Sequence, residues 1–190
     1  MDPFQKVTEW YREAEAAGQP QPDAMALATA DGAGRPSVRF VLLKSWNTRG
    51  FVFYTNRGSR KGTELAANPR GALTVYWGTL GRSIRAAGRV SAASRRESLA
   101  YWVTRPRESQ AAAWASPQSR PIASRALLES AQRAILERFT DRPIPLPPFW
   151  GGYRLRPDWV EFWEHRPDRL HDRLLLTRRR GGWREELLGP

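Results

Sequence analysis

Histidine is rare in this chain, two residues in 190. One of the two, His171, lies in the run RLHDR (residues 169–173), flanked by Arg169 and Arg173 and next to Asp172. An imidazole and two guanidiniums within five residues can hold an anion or orient a polar ring, although the run reads as simply as a solvated turn with a salt-bridged aspartate. In YTNRGSRKG (residues 54–62) hydroxyl, glycine and cationic groups lead into a helix start. Free backbone N–H groups there, with Arg60 and Lys61, would make a phosphate cradle; a helix-start loop with exposed charge explains the stretch equally well. In YWVTRPRESQ (residues 101–110), Tyr101, Arg105 and Ser109 follow at i, i+4 and i+8. A phenol, a guanidinium and a hydroxyl suit one phosphate, but Pro106 ends any regular helix, and Tyr101 and Trp102 also read as core aromatics. In VRFVLLK (residues 38–44), Arg39 and Lys44 are an odd number of positions apart and face opposite sides of an unbroken strand. Taken alone, that stretch is an amphipathic strand with solvated ends. Together the clusters suggest two phosphate-sized anion sites, one near residues 39–61 and one near 101–109.

These residues need a scaffold, and the periodicity describes one. Asp2-Pro3 is a helix start, followed by Phe4, Val7, Trp10, Tyr11 and Ala14 at helical spacing up to a stop at Gly18. AMALATA, PSVRFVLLK and FVFYT, separated by the turns DGAG and NTRG, read as a three-strand meander. SRKGTELAANP is a short helix, and GALTVYWGT and SIRAAGRVSAA are strands. Residues 94–104 open with a capping box, Ser94 and Glu97. The strongest helix runs from Ser124 to Phe139 with Leu127, Leu128, Ala131, Ile135 and Phe139 in one stripe. PIPLPPFWGG is a rigid connector, and YRLRPDWVEFWEH, RLLLTRRR and WREELL are closing antiparallel strands that turn at Gly181-Gly182. The expected fold is α+β, mainly antiparallel β, a barrel-like sheet with helices outside it. The N-terminal helix is expected over about 2–17 and the C-terminal strands over about 152–188, in a single domain spanning 1–190.

Composition removes several classes of function. There is no cysteine, so disulfides, thiolate metal sites and a cysteine nucleophile are excluded. Two histidines six residues apart without patterned carboxylates are poor metal ligands, so no metal is expected. No Gly-rich dinucleotide fingerprint or nucleophile elbow occurs. No apolar run is long enough for a signal core or a membrane span, and a cytoplasmic protein is the default. The net charge of +12 would suit a polyanionic partner. Of the 31 basic residues, however, only Lys6, Lys44 and Lys61 are lysine, a skew that reads as compositional bias and draws attention to the two lysines inside the motifs.

RFVLLK, FYTNRGSRKG, YWVTRPRESQAAAWASPQS, FWGGYRL and EFW…RLHDR, in this order and spacing, resemble the pyridoxamine 5′-phosphate oxidase family, and the likeness runs from Asp2-Pro3-Phe4 to the final LLGP. The resemblance implies an FMN-binding split β-barrel with flanking helices, a homodimer with FMN at the interface. It implies oxidation of pyridoxamine or pyridoxine 5′-phosphate to pyridoxal 5′-phosphate, with hydride passed to the flavin and O2 reoxidising it to give H2O2. Carried over residue by residue, FMN contacts fall on Arg39, Phe40, Val41, Leu42, Leu43, Lys44, Tyr54, Thr55, Arg60, Lys61, Gln118, Ser119, Trp163 and Arg173. Substrate-phosphate contacts fall on Lys44, Tyr101, Arg105 and Ser109. Arg169 and His171, the catalytic pair, hold the pyridine ring against the flavin, with Leu170 between them, and Asp172 orients its neighbours.

Three departures qualify the resemblance. Ser83 stands where the family usually has a flavin-contacting glutamine, so that contact would run through a water bridge. Glu164 replaces a glutamine and brings a negative charge near the flavin edge. The basic, aromatic segment that many members carry before the Asp-Pro helix has no counterpart, so any N-terminal lid is expected to be missing or trimmed. Two rival readings stand beside this one. One is an FMN-dependent oxidase of another small ring compound, of the phenazine-pathway type, which would not need the four phosphate donors. The other is a basic nucleic-acid-binding barrel, which calls for exposed aromatics interleaved with cations, whereas these aromatics alternate as core residues do.

Overall fold

The computed structural model describes all 190 residues, Met1–Pro190. Helix α1 (Pro3–Ala16) starts where Asp2 accepts a hydrogen bond from the Phe4 amide at 3.0 Å, with proline at the first helical position. It stops at Gly18, whose φ of 69° few other residues adopt. Strands β1 (Ala24–Ala30), β2 (Pro36–Leu42), β3 (Ser45–Asn47) and β4 (Gly50–Asn56) follow, then α2 (Arg60–Ala67), β5 (Arg70–Trp77) and β6 (Arg82–Ala92). Helices α3 (Arg95–Trp102), α4 (Arg107–Ala115) and α5 (Arg125–Arg138) precede β7 (Trp150–Glu164), β8 (Asp172–Arg179) and β9 (Gly182–Leu187).

All strands pair antiparallel in one nine-stranded sheet, ordered β2-β1-β5-β6-β7-β4-β3, with β8 and β9 added beside β7. The 15-residue β7 is the spine. Its first part pairs with β4 and its second with β8, while β6 runs along its other edge. The sheet curls until its two ends approach, so that Phe40–Leu42 of β2 and Tyr54-Thr55 of β4 line one cavity; this seam is the split of the barrel. The β6–β7 register shifts between Ala87 and Gly88. A Cβ at Gly88 would lie 2.0 Å from the Arg156 carbonyl oxygen, so only glycine lets the strands approach there.

The main core joins the α1 stripe of Phe4, Val7, Trp10 and Ala14 to inward residues of the sheet, among them Leu27, Phe51, Phe53, Trp77, Leu155 and Phe162. Each large apolar side chain buried in this way contributes roughly 1.5–3 kcal/mol. A smaller cluster of Trp102, Ala111, Phe139, Ile144, Leu146 and Trp150 packs under the three middle helices. No helix is long and apolar enough to cross a membrane.

Two expectations need correction, and two features were not foreseen. The three-strand meander does not form: β2 pairs only with β1, and β4 lies near the opposite end of the sheet, paired with β3 and β7. The chain breaks at Leu43-Lys44, so local strand order did not reveal a pairing partner almost a hundred residues away. The connector is shorter than expected, because Trp150-Gly151-Gly152 already belong to β7. Helix α4, with Pro106 at its N-cap, was not expected at all. Finally, α5 forms with Ser124 as its cap, yet none of its residues is buried and Leu127 is 62% exposed. Its stripe has only the small cluster to lean on, through Ile135 and Leu136.

Candidate active site in two halves

The first half lies at the mouth of the split. Ser59 caps α2 and aims the next turn inward, so that Lys61, only 7% exposed, reaches Thr55 Oγ1 at 3.2 Å, Ser59 Oγ at 3.3 Å and Gln118 Oε1 at 3.1 Å. Every hydrogen-bond partner of this ammonium is neutral. Burial, with Arg39 nearby, pulls its pKa down to about 8 despite the pull of Glu64 in the other direction. Arg39 and Arg60 are held differently. Buried Glu64 accepts from Thr29 at 2.5 Å, Ser37 at 2.6 Å, Arg60 at 2.9 Å and Arg39 at 3.1 Å. Burial pushes its carboxyl up, but hydrogen bonds from Ser37, Thr29, Arg60 and Arg39 outweigh that and hold it at about 2. Arg39 therefore serves an internal network, whereas Arg60, 66% exposed, keeps donors toward solvent.

Opposite Lys61 stands the α3–α4 corner. Trp102 Nε1 donates to the Ile144 carbonyl and Gln110 Nε2 to the Trp102 carbonyl, both at 2.8 Å, which fixes the corner around Pro106. Arg105 sits in that corner. Its Nη2 donates to the Ser109 carbonyl at 3.0 Å and its guanidinium lies 5.1 Å from the Trp150 ring, but its buried Nε has no partner. The Tyr54 ring stacks on Tyr101 (4.1 Å) and Trp150 (5.6 Å). Burial, then Glu97 and Tyr101, raise the Tyr54 pKa.

Two adjoining cavities result. One of 220 Å³ is lined by Phe40, Val41, Leu42, Lys44, Tyr54, Thr55, Lys61, Tyr101, Arg105 and Gln118. One of 340 Å³ shares Tyr54, Thr55, Arg105 and Gln118 and adds Ser109. Lys44, paired with Asp23 at 2.6 Å, lines the first cavity and Arg39 does not. Leu43 is a core residue. Ser119 is exposed, with an unusual φ of 70°. For an FMN phosphate and a substrate phosphate the donor set fits: two cationic groups, Lys61 and Arg105, border one cavity without a carboxylate partner. The largest groove, 660 Å³ between α1 and β3, holds none of the expected residues.

The second half lies at the far end of the spine. A 440 Å³ cavity is lined by Tyr76, Ser83, Arg85, Trp163, Arg173 and Pro190. Arg173 donates to Glu161 at 2.9 Å and to the Gly189 carbonyl at 2.8 Å, and Arg85 also pairs with Glu161. Burial favours the neutral form of this 3%-exposed carboxyl, but the bonds from Arg173 and Arg85 keep its pKa low. The His171 ring packs 4.7 Å from Trp163, and its Nδ1 accepts from the Arg166 amide at 3.1 Å. Asp172 pairs with Arg166, and its side chain makes no hydrogen bond to Arg169 or His171. Arg169 and Leu170 are exposed, and Arg169 has φ 63°. Glu164 pairs with Arg82 at 3.1 Å, which neutralises the charge expected to trouble a flavin edge.

One chain thus gathers the expected residues into two groups without bringing the groups together. Gly152 pairs with Tyr54 and Trp163 with Arg173. Gly152 and Trp163 are eleven residue steps apart on the strand, up to about 36 Å at ~3.3 Å per residue. Sequence reading missed the buried carboxylates Glu64 and Glu161 and the partners Asp23, Arg82 and Arg85. Only Glu161 left a trace, as an acid on the otherwise apolar alternation WVEFW.

Comparison with known proteins adds the following. Residues 12–138 match the family model described as pyridoxamine 5′-phosphate oxidase, and residues 150–190 match the one described as the pyridoxine 5′-phosphate oxidase C-terminal dimerisation region. A pyridoxine/pyridoxamine 5′-phosphate oxidase of Rubrobacter xylanophilus is 54% identical over 189 residues, covering 100% of this chain and 87% of the relative. The structure of PhzG from Burkholderia lata 383 in complex with tetrahydrophenazine-1-carboxylic acid superposes with a TM-score of 0.94 at 33% identity, covering 100% of this chain and 93% of that one. A pyridoxamine 5′-phosphate oxidase-related, FMN binding protein of Nostoc punctiforme shares the fold, with a TM-score of 0.78 at 18% identity over 100% and 98% of the two chains.

Proposed function

Because the chain belongs to the pyridoxamine 5′-phosphate oxidase family, we propose that it oxidises pyridoxamine or pyridoxine 5′-phosphate to pyridoxal 5′-phosphate. FMN is the cofactor, O2 the final oxidant and H2O2 the by-product. The observation that carries this reading is the cavity bordered by buried Lys61 and half-buried Arg105, whose Nε is buried without a partner, neither cation having a carboxylate there. A buried cation without a counter-ion is costly unless a ligand supplies the charge, and two such groups suit two phosphates. Lys61 and Arg60 hold the FMN phosphate, and Tyr54, Thr55, Gln118, Ser119 and the strand Arg39–Lys44 surround the cofactor. Lys44, Tyr101, Arg105 and Ser109 hold the substrate phosphate. Bound FMN supplies the hydride acceptor. Arg169 and His171 align the pyridine ring; with Nδ1 accepting, the neutral His171 ring presents its Nε2–H as a donor. Ser83, Trp163 and Arg173 flank the flavin.

The separation of the two halves along β7 supports a homodimer in which each site combines the Lys61 half of one copy with the Trp163 half of the other. The match of residues 150–190 to a dimerisation region agrees with this. So does the outer face of edge strand β2, where Val38 (69% exposed), Phe40 (79%) and Leu42 (44%) point away from the chain's own core. The likeness to the phenazine-ligand structure favours a second reading, an FMN-dependent oxidase of another small ring compound. A substrate without phosphate would leave the Arg105 guanidinium and the Tyr101 and Ser109 hydroxyls without an anion to bind, so the first reading is preferred. The test is to reconstitute the protein with FMN and add pyridoxamine 5′-phosphate without oxygen. Bleaching of the flavin is expected. A protein that cannot be made yellow overturns both readings, and equal bleaching by unphosphorylated pyridoxamine favours the second.

A further inference from the structure

We propose that Arg166 is a positioning residue that holds the Arg169–His171 segment in its working shape. The inference rests on the reading that Arg169 and His171 align the substrate ring. Seven residues, 165–171, join β7 to β8. Within them Arg166 makes an unusual share of the bonds. Its amide donates to His171 Nδ1 at 3.1 Å, its carbonyl accepts from the Arg169 amide at 3.3 Å, and its guanidinium grips Asp172 Oδ2 through Nε at 2.9 Å and Nη2 at 2.5 Å. One residue thus touches both members of the pair through its backbone and anchors that backbone to the first residue of β8 through its side chain.

The segment needs such an anchor. Arg169 sits at φ 63°, a region that costs a non-glycine residue free energy and persists only where neighbours enforce it. His165 is tied to Gly81 through its amide at 2.8 Å, and Pro167 restricts φ just after Arg166. Arg166 is the link between these fixed points and His171. Its bond to Nδ1 also selects the tautomer that carries the proton on Nε2. The Arg166–Asp172 pair is about half exposed on both sides, 49% and 59%, so it adds little to global stability. Its contribution is orientation, and that separates a positioning role from a structural one.

The experiment uses the FMN-reconstituted protein and anaerobic rapid-mixing flavin reduction across a series of pyridoxamine 5′-phosphate concentrations. Arg166→Ala is expected to lower the limiting reduction rate about tenfold or more through misalignment. Substrate Kd and the thermal midpoint should stay close to wild type, and Arg166→Lys should recover part of the rate. Combined with His171→Asn, the alanine change should cost little beyond His171→Asn alone, because both act through the same ring. A wild-type limiting rate in Arg166→Ala, alongside slow Arg169→Ala and His171→Asn, overturns the inference and leaves the functional reading standing. Wild-type rates in Arg169→Ala and His171→Asn overturn the reading of the segment and the inference with it. A collapse of the thermal midpoint in Arg166→Ala makes the residue structural and also overturns the proposal.

Discussion

Replacing Arg105 with methionine should separate the protein's stability from its grip on substrate. In the folded chain Arg105 Nε is buried without a partner, Nη2 donates to the Ser109 carbonyl, and the guanidinium lies against Trp150 and Trp102. An unsatisfied buried donor costs about 1–3 kcal/mol, and the bond to Ser109 returns roughly 1.5 kcal/mol. The aromatic contacts return a further ~0.5–1 kcal/mol. These contributions nearly cancel, and methionine keeps much of the side-chain volume. The unliganded variant should therefore unfold within a few degrees of wild type, since 1 kcal/mol corresponds to roughly 2–4 °C in a chain of this size. Phosphate binding should suffer far more: losing a charge-assisted donor costs about 1.5–3 kcal/mol, on the order of 10- to 100-fold in Kd. The assay is thermal unfolding at fixed protein concentration, with and without pyridoxamine 5′-phosphate. A ligand at 100 times the wild-type Kd stabilises wild type by about 2.7 kcal/mol and the variant by about 1.4 kcal/mol or less. In steady state the loss should appear mainly in KM. An unliganded variant destabilised by more than about 3 kcal/mol that keeps its full ligand shift would refute this reasoning, because Arg105 would then be a packing residue.

Lys61 gives a pH signature. Its folded pKa of about 8 lies below the ordinary 10.5, so the folded state binds fewer protons between those values and stability rises as pH increases through that window. FMN binding restores the charge, so FMN affinity should fall above pH 8; titrations at pH 7 and 9 should show this for wild type and a flat response for Lys61→Met. Glu64 has the same sign in a lower window: its folded pKa of about 2 is below 4.5, so its contribution is present above pH 4.5 and is lost as pH falls toward 2. Glu64→Gln should cost about 3 kcal/mol at neutral pH in denaturant unfolding and reduce the acid sensitivity; an unchanged midpoint would show that Arg39 and Arg60 find other partners. Ser83→Gln should tighten FMN by about 0.5–1.5 kcal/mol, one hydrogen bond gained in the cavity of Trp163 and Arg173; unchanged or weaker binding by flavin-fluorescence titration would count against a loose contact at Ser83.

Local signals were the legible ones. Asp2-Pro3 and Ser94 with Glu97 cap the helices they were expected to cap, because capping is decided within four residues. Alternation located β1, β5, β6, β8 and β9, and the order and spacing of the motifs identified the family. Long-range facts were not legible. Strand β2 looked like a neighbour of β4 and is not, since antiparallel pairing is settled by which faces the whole sheet can bury rather than by adjacency in sequence. The apolar stripe of α5 was legible but not what meets it, and Leu127 stays exposed while Ile135 and Phe139 join the small cluster, because amphipathicity shows that a helix has an apolar side and leaves its partner open. Sequence by itself determined which residues carry charge and hydroxyl groups and on which elements they sit. Tertiary structure decided that Arg39 serves Glu64, that Lys61 and Arg105 share a cavity without a carboxylate, and that Trp163 and His171 lie a strand's length away. Those outcomes depend on burial and on separations of a few ångströms between distant parts of the chain, where desolvation and hydrogen bonding decide what a charged group can do.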